Sequence, residues 1–348
     1  MLEITLTFLS FILCLLLARS KASIILVCSI YIFYFILMLG YFHINKLGGT
    51  YLPLFPDEET YINNRSIKIY AFYVSTLYEQ FGPWYFKLTN IIIYTIPLII
   101  ICNNHSKIDT SYVLGVILFS IGSYWCFFIL KEAYSISGLL FLLYGISIRN
   151  KFYILLGCTI LMLARPENIF LVLLSYIVYL LNHKNKLFLY SFIISILLLI
   201  VLFLKLPLST AIKLSFVSRR NGASAKEYDP GAISAANKEG LDFILSKEYI
   251  DTILQNFNSS FNIFTNSFGI ATLLVLINVI SLALCLYHFR KKHSLIYIDW
   301  LYLISVIILT CTHSMYRYAN AISLPYIALR LIKNRNKNEN LNNESKQL

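Results

Sequence analysis

The sequence predicts an all-α, polytopic membrane protein, a bundle of about eleven transmembrane helices (ten to twelve), from three observations. Charged residues make up only 13% of the 348 residues, about half the share that is typical of a soluble globular domain. Hydrophobic residues make up 58%, and the mean hydropathy is +0.69. Apolar runs recur along the whole chain, so lipid must be the solvent for much of its surface.

Eleven apolar stretches are predicted to cross the membrane. They cover about residues 3–18, 22–42, 88–102, 111–130, 134–148, 152–164, 168–182, 187–206, 267–288, 295–312 and 319–332. Because no basic stretch precedes the first run and no small-residue cleavage site follows it, we expect a retained span there rather than a cleaved signal peptide. Several stretches are shorter than the ~20 residues of a perpendicular helix, which predicts tilted or protein-buried helix ends.

The short polar gaps alternate in charge, and this alternation predicts the topology. Basic loops and the C-terminal segment hold 15 of the 29 basic residues but only four of the 17 acidic residues, a net charge of +11, whereas the other side carries +1. The positive-inside rule therefore places the basic loops and the C-terminus in the cytoplasm and the N-terminus outside. The net charge of +12 is thus a topology signal and does not indicate nucleic-acid binding. Residues 1–332 are predicted to form a single transmembrane domain, and 333–348 a disordered cytoplasmic tail.

Charged groups of both signs collect on the predicted outer side. Two long loops, about residues 43–87 and 206–265, are expected to carry short helices there. Three short outer turns also carry charge, namely Lys131-Glu132, Arg165-Pro166-Glu167 and the turn from His313 to Arg317. Such charges can simply anchor helix ends at the interface. Because all three turns carry them, we favour a shared polar cavity.

The first outer loop contains three consecutive acids in Phe55-Pro56-Asp57-Glu58-Glu59-Thr60-Tyr61. One interpretation is structural, because acidic residues stabilise the N-terminus of a helix that starts near Asp57. The functional interpretation is a carboxylate that serves as general base or metal ligand at the membrane surface. After this motif, residues 62–78 are predicted to form an amphipathic surface helix with one apolar face, formed by Ile67, Tyr70, Ala71, Val74 and Leu77.

Arginines are the candidate anion-binding groups of the remaining outer segments. Arg219 and Arg220 stand side by side in the second loop. Paired guanidinium groups suit a phosphate or diphosphate, although a solvated loop pair is the alternative interpretation. Arg317 stands beside His313, Tyr316 and Tyr318 at the head of the last predicted span, where it can pair with an anion.

These motifs, in this order, resemble the GT-C class of membrane glycosyltransferases. Asp57-Glu58-Glu59-Thr60-Tyr61 is similar to the class's acidic Asp-Glu-x-x-Tyr motif, Lys131-Glu132 to its basic-acidic pair, Arg165-Pro166 to its Arg-Pro pair, and Arg317, Tyr318 and Pro325 to its C-terminal motif. The resemblance implies Asp57 as the catalytic base, with Glu58 as the runner-up. It implies substrate-binding roles for Tyr61, Lys131, Glu132, Arg165, Glu167, Arg219, Arg220, His313 and Arg317.

Small chains of this architecture are most similar to bacterial polysaccharide polymerases of the Wzy type. The resemblance implies that the enzyme joins O-antigen or other surface-polysaccharide repeat units, carried on undecaprenyl (di)phosphate, at the outer face of the bacterial inner membrane. A single carboxylate base implies inversion at the anomeric carbon, and a second, nucleophilic carboxylate would give retention. The alternatives are a transferase that adds one sugar from a polyprenyl phosphate and, outside the enzymes, a lipid-linked oligosaccharide transporter.

Cofactors and partners follow from the same residues. The 7 cysteines show no paired spacing, so the sequence predicts neither a disulfide framework nor a zinc site. No metal is expected from a His/Asp cluster, although a divalent cation stays open because some relatives use one. The expected partners are the polyprenyl-linked sugar and membrane lipids, with other polysaccharide-assembly proteins as further candidates.

Overall fold

The computed structural model describes residues 2–46, 62, 69–103, 108–128, 130–174, 213, 230–238, 240–263, 270–290, 297–312 and 316–332. Within these ranges every regular element is a helix. Four helical segments are long and apolar enough to cross a membrane, namely Lys21–Gly40, Ile69–Asn103, Thr110–Phe127 and Ile270–His288. The all-helical, membrane-compatible fold class is therefore confirmed for the described chain, whereas the number of spans and their orientation remain predictions.

Twelve helices have both bounds in the described residues, and a further helix, α7, is described over 167–174 only. They are α1 (Leu2–Leu17), α2 (Lys21–Lys46), α3 (Ile69–Asn103), α4 (Thr110–Gly122), α5 (Glu132–Ile148), α6 (Lys151–Ala164), α7 (described over 167–174), α8 (Pro230–Asn237), α9 (Gly240–Ile244), α10 (Lys247–Phe261), α11 (Ile270–Arg290), α12 (Tyr297–Thr312) and α13 (Tyr316–Ile327). A 3₁₀ turn, Ser123–Phe127, extends α4, and a π-helical turn, Ala328–Ile332, extends α13. The described helices follow the predicted apolar stretches to within a few residues, except for α3 and for α8, α9 and α10, which lie in the predicted second loop.

Helix α3 begins much earlier than its predicted span. It starts at Ile69 and contains a break at Gly82, where φ is +70°, directly before Pro83. Because Pro83 cannot donate a helical hydrogen bond and Gly82 tolerates positive φ, the chain turns there and a second helical segment follows. The first segment buries Tyr70, Ala71 and Val74. The predicted apolar face of this helix is therefore confirmed at these three positions, whereas Leu77 is partly exposed and Ile67 lies outside the described residues.

The chain forms two compact units, the first from Met1–Phe170 with Ala321–Leu348 and the second from Leu171–Asn320. In the first unit, the helix ends predicted to be cytoplasmic lie together. The Arg19 backbone N–H donates to Asn103 Oδ1 at 2.8 Å, and the Tyr112 hydroxyl donates to the carbonyl of Ala22. At the other end of these helices, Asn90 Nδ2 donates to the carbonyl of Phe128 at 2.7 Å.

Helices α5 and α6 form a closely packed antiparallel hairpin. A Cβ atom at Gly138 would lie 2.8 Å from Leu161 Cγ, and one at Gly145 would lie 2.7 Å from the backbone nitrogen of Ile154. A Cβ atom at Gly157 would overlap the backbone nitrogen of Leu142. Small residues permit this approach of two backbones inside a membrane, where close packing drives helix association. The glycines therefore fix the register of the hairpin, and with it the positions of the residues at its open end.

The second unit has a polar interior. Asn320 Nδ2 donates to Asn278 Oδ1 at 2.6 Å and to the carbonyl of Leu274 at 2.8 Å. Asn278 Nδ2 donates to the carbonyl of Ser260, at the end of α10, at 3.0 Å. Buried amides stabilise a fold only when they are hydrogen-bonded, and these bonds join α10, α11 and α13.

Candidate functional site

An ion pair joins two of the charged turns that the sequence predicts on the outer side. Arg165 Nη2 lies 2.8 Å from Glu132 Oε1, and the two side chains are 6% and 1% exposed. Glu132 is the first residue of α5, and Arg165 directly follows α6. The pair thus closes the open end of the glycine-packed hairpin. We call this the Glu132 end of the first unit.

The local sequence explains why Arg165 points back toward α5. Its backbone is not helical (φ −147°, ψ 78°), although its N–H still donates to the carbonyl of Leu161 at 2.7 Å. Pro166 then occupies the first turn of α7, a position where a missing N–H costs nothing. The Asn168 N–H donates to the carbonyl of Arg165 at 3.0 Å. Arg165 is therefore held between two helices, with its guanidinium group inside the protein.

A second polar contact reinforces the ion pair. Asn168 Nδ2 donates to Ser135 Oγ at 2.8 Å, and both residues are buried. Ser135 lies one turn beyond Glu132 on α5, and Asn168 lies one turn beyond Arg165 on α7. The two contacts therefore run in parallel between the same elements, and they hold the first turn of α7 against the first turn of α5.

Glu167 and Lys131 complete the charged turns. Glu167 Oε1 lies 4.0 Å from Arg165 Nη1, and its side chain is 59% exposed. Lys131 caps α5 with an α-helical backbone and is partly exposed. The structure therefore brings four of the predicted substrate-binding residues to one end of the first unit, where Glu132 and Arg165 form the buried layer and Glu167 and Lys131 the accessible one.

A cluster of hydroxyl groups lies at the same end of α5. The Tyr73 and Tyr134 hydroxyls are 3.3 Å apart, and Tyr134 is two residues from Glu132. Tyr85 and Thr89, on the second segment of α3, lie near the Tyr73 phenol. We call Tyr73, Tyr85, Thr89 and Tyr134 the hydroxyl cluster. The sequence analysis did not identify it, because its members come from three helical segments whose register is not readable from the chain.

Lys87 is a further cation that the sequence analysis did not identify. It is 8% exposed, and its Nζ lies 3.9 Å from the centre of the Phe127 ring and 5.1 Å from that of Trp84. Contact with aromatic faces stabilises a desolvated ammonium group. Its charge could be read from the sequence, but its burial depends on the fold of α3 against the 3₁₀ turn.

The other predicted site residues fall in two groups. Arg317 lies in the first turn of α13, where the structure describes its backbone only. The remaining residues lie outside the described part of the chain: Asp57, Glu58, Tyr61, Arg219, Arg220 and His313. The proposed base and the paired arginines therefore remain predictions from the sequence.

Among the described residues, no group of three or more His, Cys, Asp or Glu side chains could hold a metal ion. The Glu132 end instead offers a guanidinium, an ammonium, two carboxylates and several hydroxyls. Such groups can bind a phosphorylated sugar by charge and hydrogen bonds. No protein family model, curated protein or solved structure matches this chain.

Proposed function

We propose that this protein is a membrane glycosyltransferase that uses a polyprenyl-linked sugar as donor on the outer face of the bacterial cytoplasmic membrane. The observation that carries the proposal is the buried Glu132–Arg165 ion pair, since it unites the Lys131-Glu132 and Arg165-Pro166-Glu167 turns in one charged site. The GT-C-like order of motifs supports the same proposal from the sequence.

The proposed reaction is a direct displacement at the anomeric carbon. Asp57, with Glu58 as the alternative, takes the proton of the acceptor hydroxyl, whose oxygen forms the new glycosidic bond. The bond from the anomeric carbon to the polyprenyl phosphate breaks, and the phosphate leaves with the electron pair. Cationic groups stabilise the charge that develops on the departing phosphate, and Arg219, Arg220 and Arg317 are proposed for this role.

The described residues contribute position and charge to this scheme. Because Glu132 is 1% exposed and bonded to Arg165, we assign it as a positioning residue that orients the guanidinium. Arg165 and the more accessible Lys131 then add positive charge close to where the phosphate would bind. Glu167, which is largely exposed, can accept a hydrogen bond from a sugar hydroxyl.

Among such enzymes we propose a polymerase that joins lipid-linked repeat units of O-antigen or another surface polysaccharide. The runner-up is a transferase that adds one sugar to a finished glycan. Deletion of the gene distinguishes the polymerase from the single-sugar transferase. Loss of the ladder of long polysaccharide chains is expected for a polymerase. A full-length ladder that lacks one side sugar indicates the single-sugar transferase.

Complementation of that deletion tests the proposed base. Wild-type protein is expected to restore the glycan, and Asp57→Asn is expected to leave it absent while the protein accumulates normally in the membrane. A normal glycan from Asp57→Asn would refute the assignment. Glu59→Gln, in the same acidic run, is the matched control and is expected to restore the glycan.

A transporter of lipid-linked oligosaccharides is the second candidate. The buried Asn278–Asn320 contact favours it, because polar groups within spans can mark a transport path. Purified protein in liposomes distinguishes the two. Movement of a labelled lipid-linked sugar between leaflets without a new glycosidic bond would establish transport, and bond formation would establish transfer.

A further inference from the structure

A continuous network of aromatic rings surrounds the hydroxyl cluster. Ring centroids of Tyr73 and Phe86 lie 5.7 Å apart, those of Tyr70 and Tyr134 5.5 Å, and those of Tyr85 and Phe86 5.2 Å. The network spans the break at Gly82, since Tyr70 and Tyr73 precede it and Tyr85 and Phe86 follow it. The turn therefore folds the two segments of α3 against α5 and brings their phenol groups together.

The burial of the network is graded. Tyr70, Phe86 and Tyr134 are buried, whereas Tyr73, Tyr85 and Thr89 are partly exposed. The buried rings form a floor, and the partly exposed residues present hydroxyl groups above it.

The usual reason for tyrosines at a helix end is the interfacial aromatic belt, in which each hydroxyl points toward lipid headgroups. The geometry differs here, because the Tyr73 and Tyr134 hydroxyls point toward each other at 3.3 Å. Each phenol both donates and accepts one hydrogen bond. Converging phenols therefore offer both hydrogen-bond donors and acceptors. They can pair with the hydroxyls of a sugar ring, which also donate and accept.

We propose that the hydroxyl cluster is a sugar-binding subsite, in which a pyranose ring donates to and accepts from Tyr73, Tyr85 and Tyr134 and lays its apolar C–H face on an aromatic ring. This inference rests on the proposed function and specifies which part of the glycan lies where. Tyr134 and Glu132 both lie in the first turn of α5, so the subsite is at the same end of this helix as the Glu132–Arg165 pair.

The test is saturation-transfer difference NMR on the full-length protein in lipid nanodiscs. The probe is the repeat-unit oligosaccharide released by mild acid from the surface polysaccharide of the source organism. Wild-type protein is expected to transfer saturation to the sugar protons. Tyr73→Phe and Tyr134→Phe, which keep the rings and remove only hydroxyls, are each expected to weaken binding about three- to tenfold, the range for loss of one hydrogen bond.

The matched control is Tyr153→Phe, at the other end of the α5–α6 hairpin, where the Tyr153 ring stacks on Phe141 at 6.0 Å. It is expected to bind as wild type does. The unfolding temperatures of all variants are compared. If Tyr73→Phe binds as the wild type does, Tyr73→Ala is measured as well, because this variant removes the aromatic ring together with the hydroxyl. No signal from wild type, or equal signals from wild type and both Tyr73 variants, overturns the subsite.

A transfer assay on the same samples separates this inference from the proposed function. Transfer without sugar binding at the cluster rejects the subsite and leaves the glycosyltransferase standing. Binding that depends on Tyr73 and Tyr134 without any transfer supports the subsite and rejects the enzyme.

Discussion

Arg165 shows how burial sets the energetic importance of a single charged residue. Its pair with Glu132 is almost fully buried, whereas the pair of Lys238 and Glu248 is separated by 3.7 Å and is 42% and 33% exposed. Removing one partner of a buried pair leaves an uncompensated charge and costs about 3–5 kcal/mol. An exposed pair contributes about 0–1 kcal/mol. The two pairs therefore allow the stability contribution of a buried ion pair to be compared with that of an exposed one in the same protein.

We predict that Arg165→Met lowers the free energy of unfolding by about 3–5 kcal/mol, because the buried Glu132 carboxylate then loses the guanidinium that lies 2.8 Å from it. Lys238→Met is the control and is expected to change it by less than about 1 kcal/mol. Both are measured by unfolding in mixed SDS and non-ionic micelles. Similar values for the two variants would contradict the burial of the Glu132–Arg165 pair.

The double variant Glu132→Leu/Arg165→Met tests whether the pair also serves the site. Apolar replacement of both partners is often neutral or stabilising, so we expect most of the lost stability to return. Glycan synthesis is expected to be absent in the double variant, because the guanidinium group is missing. Restored synthesis would show that the pair only holds the fold together.

At the scale of elements, the α5–α6 hairpin depends on glycines that admit no Cβ atom. Gly157→Ala is predicted to destabilise the protein by about 1–3 kcal/mol, the cost of overpacking, since its Cβ would meet the backbone of Leu142. Gly40→Ala on α2 is the control, because no atom lies within 4 Å of its Cβ position. We expect Gly40→Ala to be neutral or slightly stabilising. Equal losses of stability in Gly40→Ala and Gly157→Ala would contradict the close packing of α5 and α6.

Helix bounds were predictable where hydrophobicity alone decides them, as at α5 and α6, which match the predicted spans 134–148 and 152–164 to within two residues. The start of α3 was not predicted, since the residues up to Lys87 were assigned to a loop that contains a separate surface helix. The helix begins at Ile69, because an amphipathic segment with polar residues can still pack one face on α5.

At the scale of the whole molecule, the charge alternation predicts that the two ends of the first unit lie on opposite sides of the membrane. We predict that Glu167→Cys reacts with a membrane-impermeant maleimide in intact cells and that Asn150→Cys reacts only after permeabilisation. Wild type, with its native cysteines, sets the background. Labelling of both positions from the same side would contradict the crossing of α6.

The candidate site was predictable in part. The sequence marked Glu132 and Arg165 because their charge stands out in an apolar chain. It did not pair them, since that contact depends on the register that Gly138 and Gly157 set. The hydroxyl cluster was hidden because tyrosine is common in this sequence, with 26 copies, and only the turn at Gly82 selects which of them meet.

The central claim is that this chain forms a glycosidic bond at the expense of a polyprenyl-linked donor. The most direct measurement is a transfer assay with purified protein in nanodiscs, in which lipid-linked repeat units isolated from the source organism are followed by mass spectrometry. Wild type is predicted to yield longer lipid-linked glycans with release of polyprenyl diphosphate, and Asp57→Asn to yield neither. An unchanged donor with wild type, or equal product with both proteins, would contradict the account.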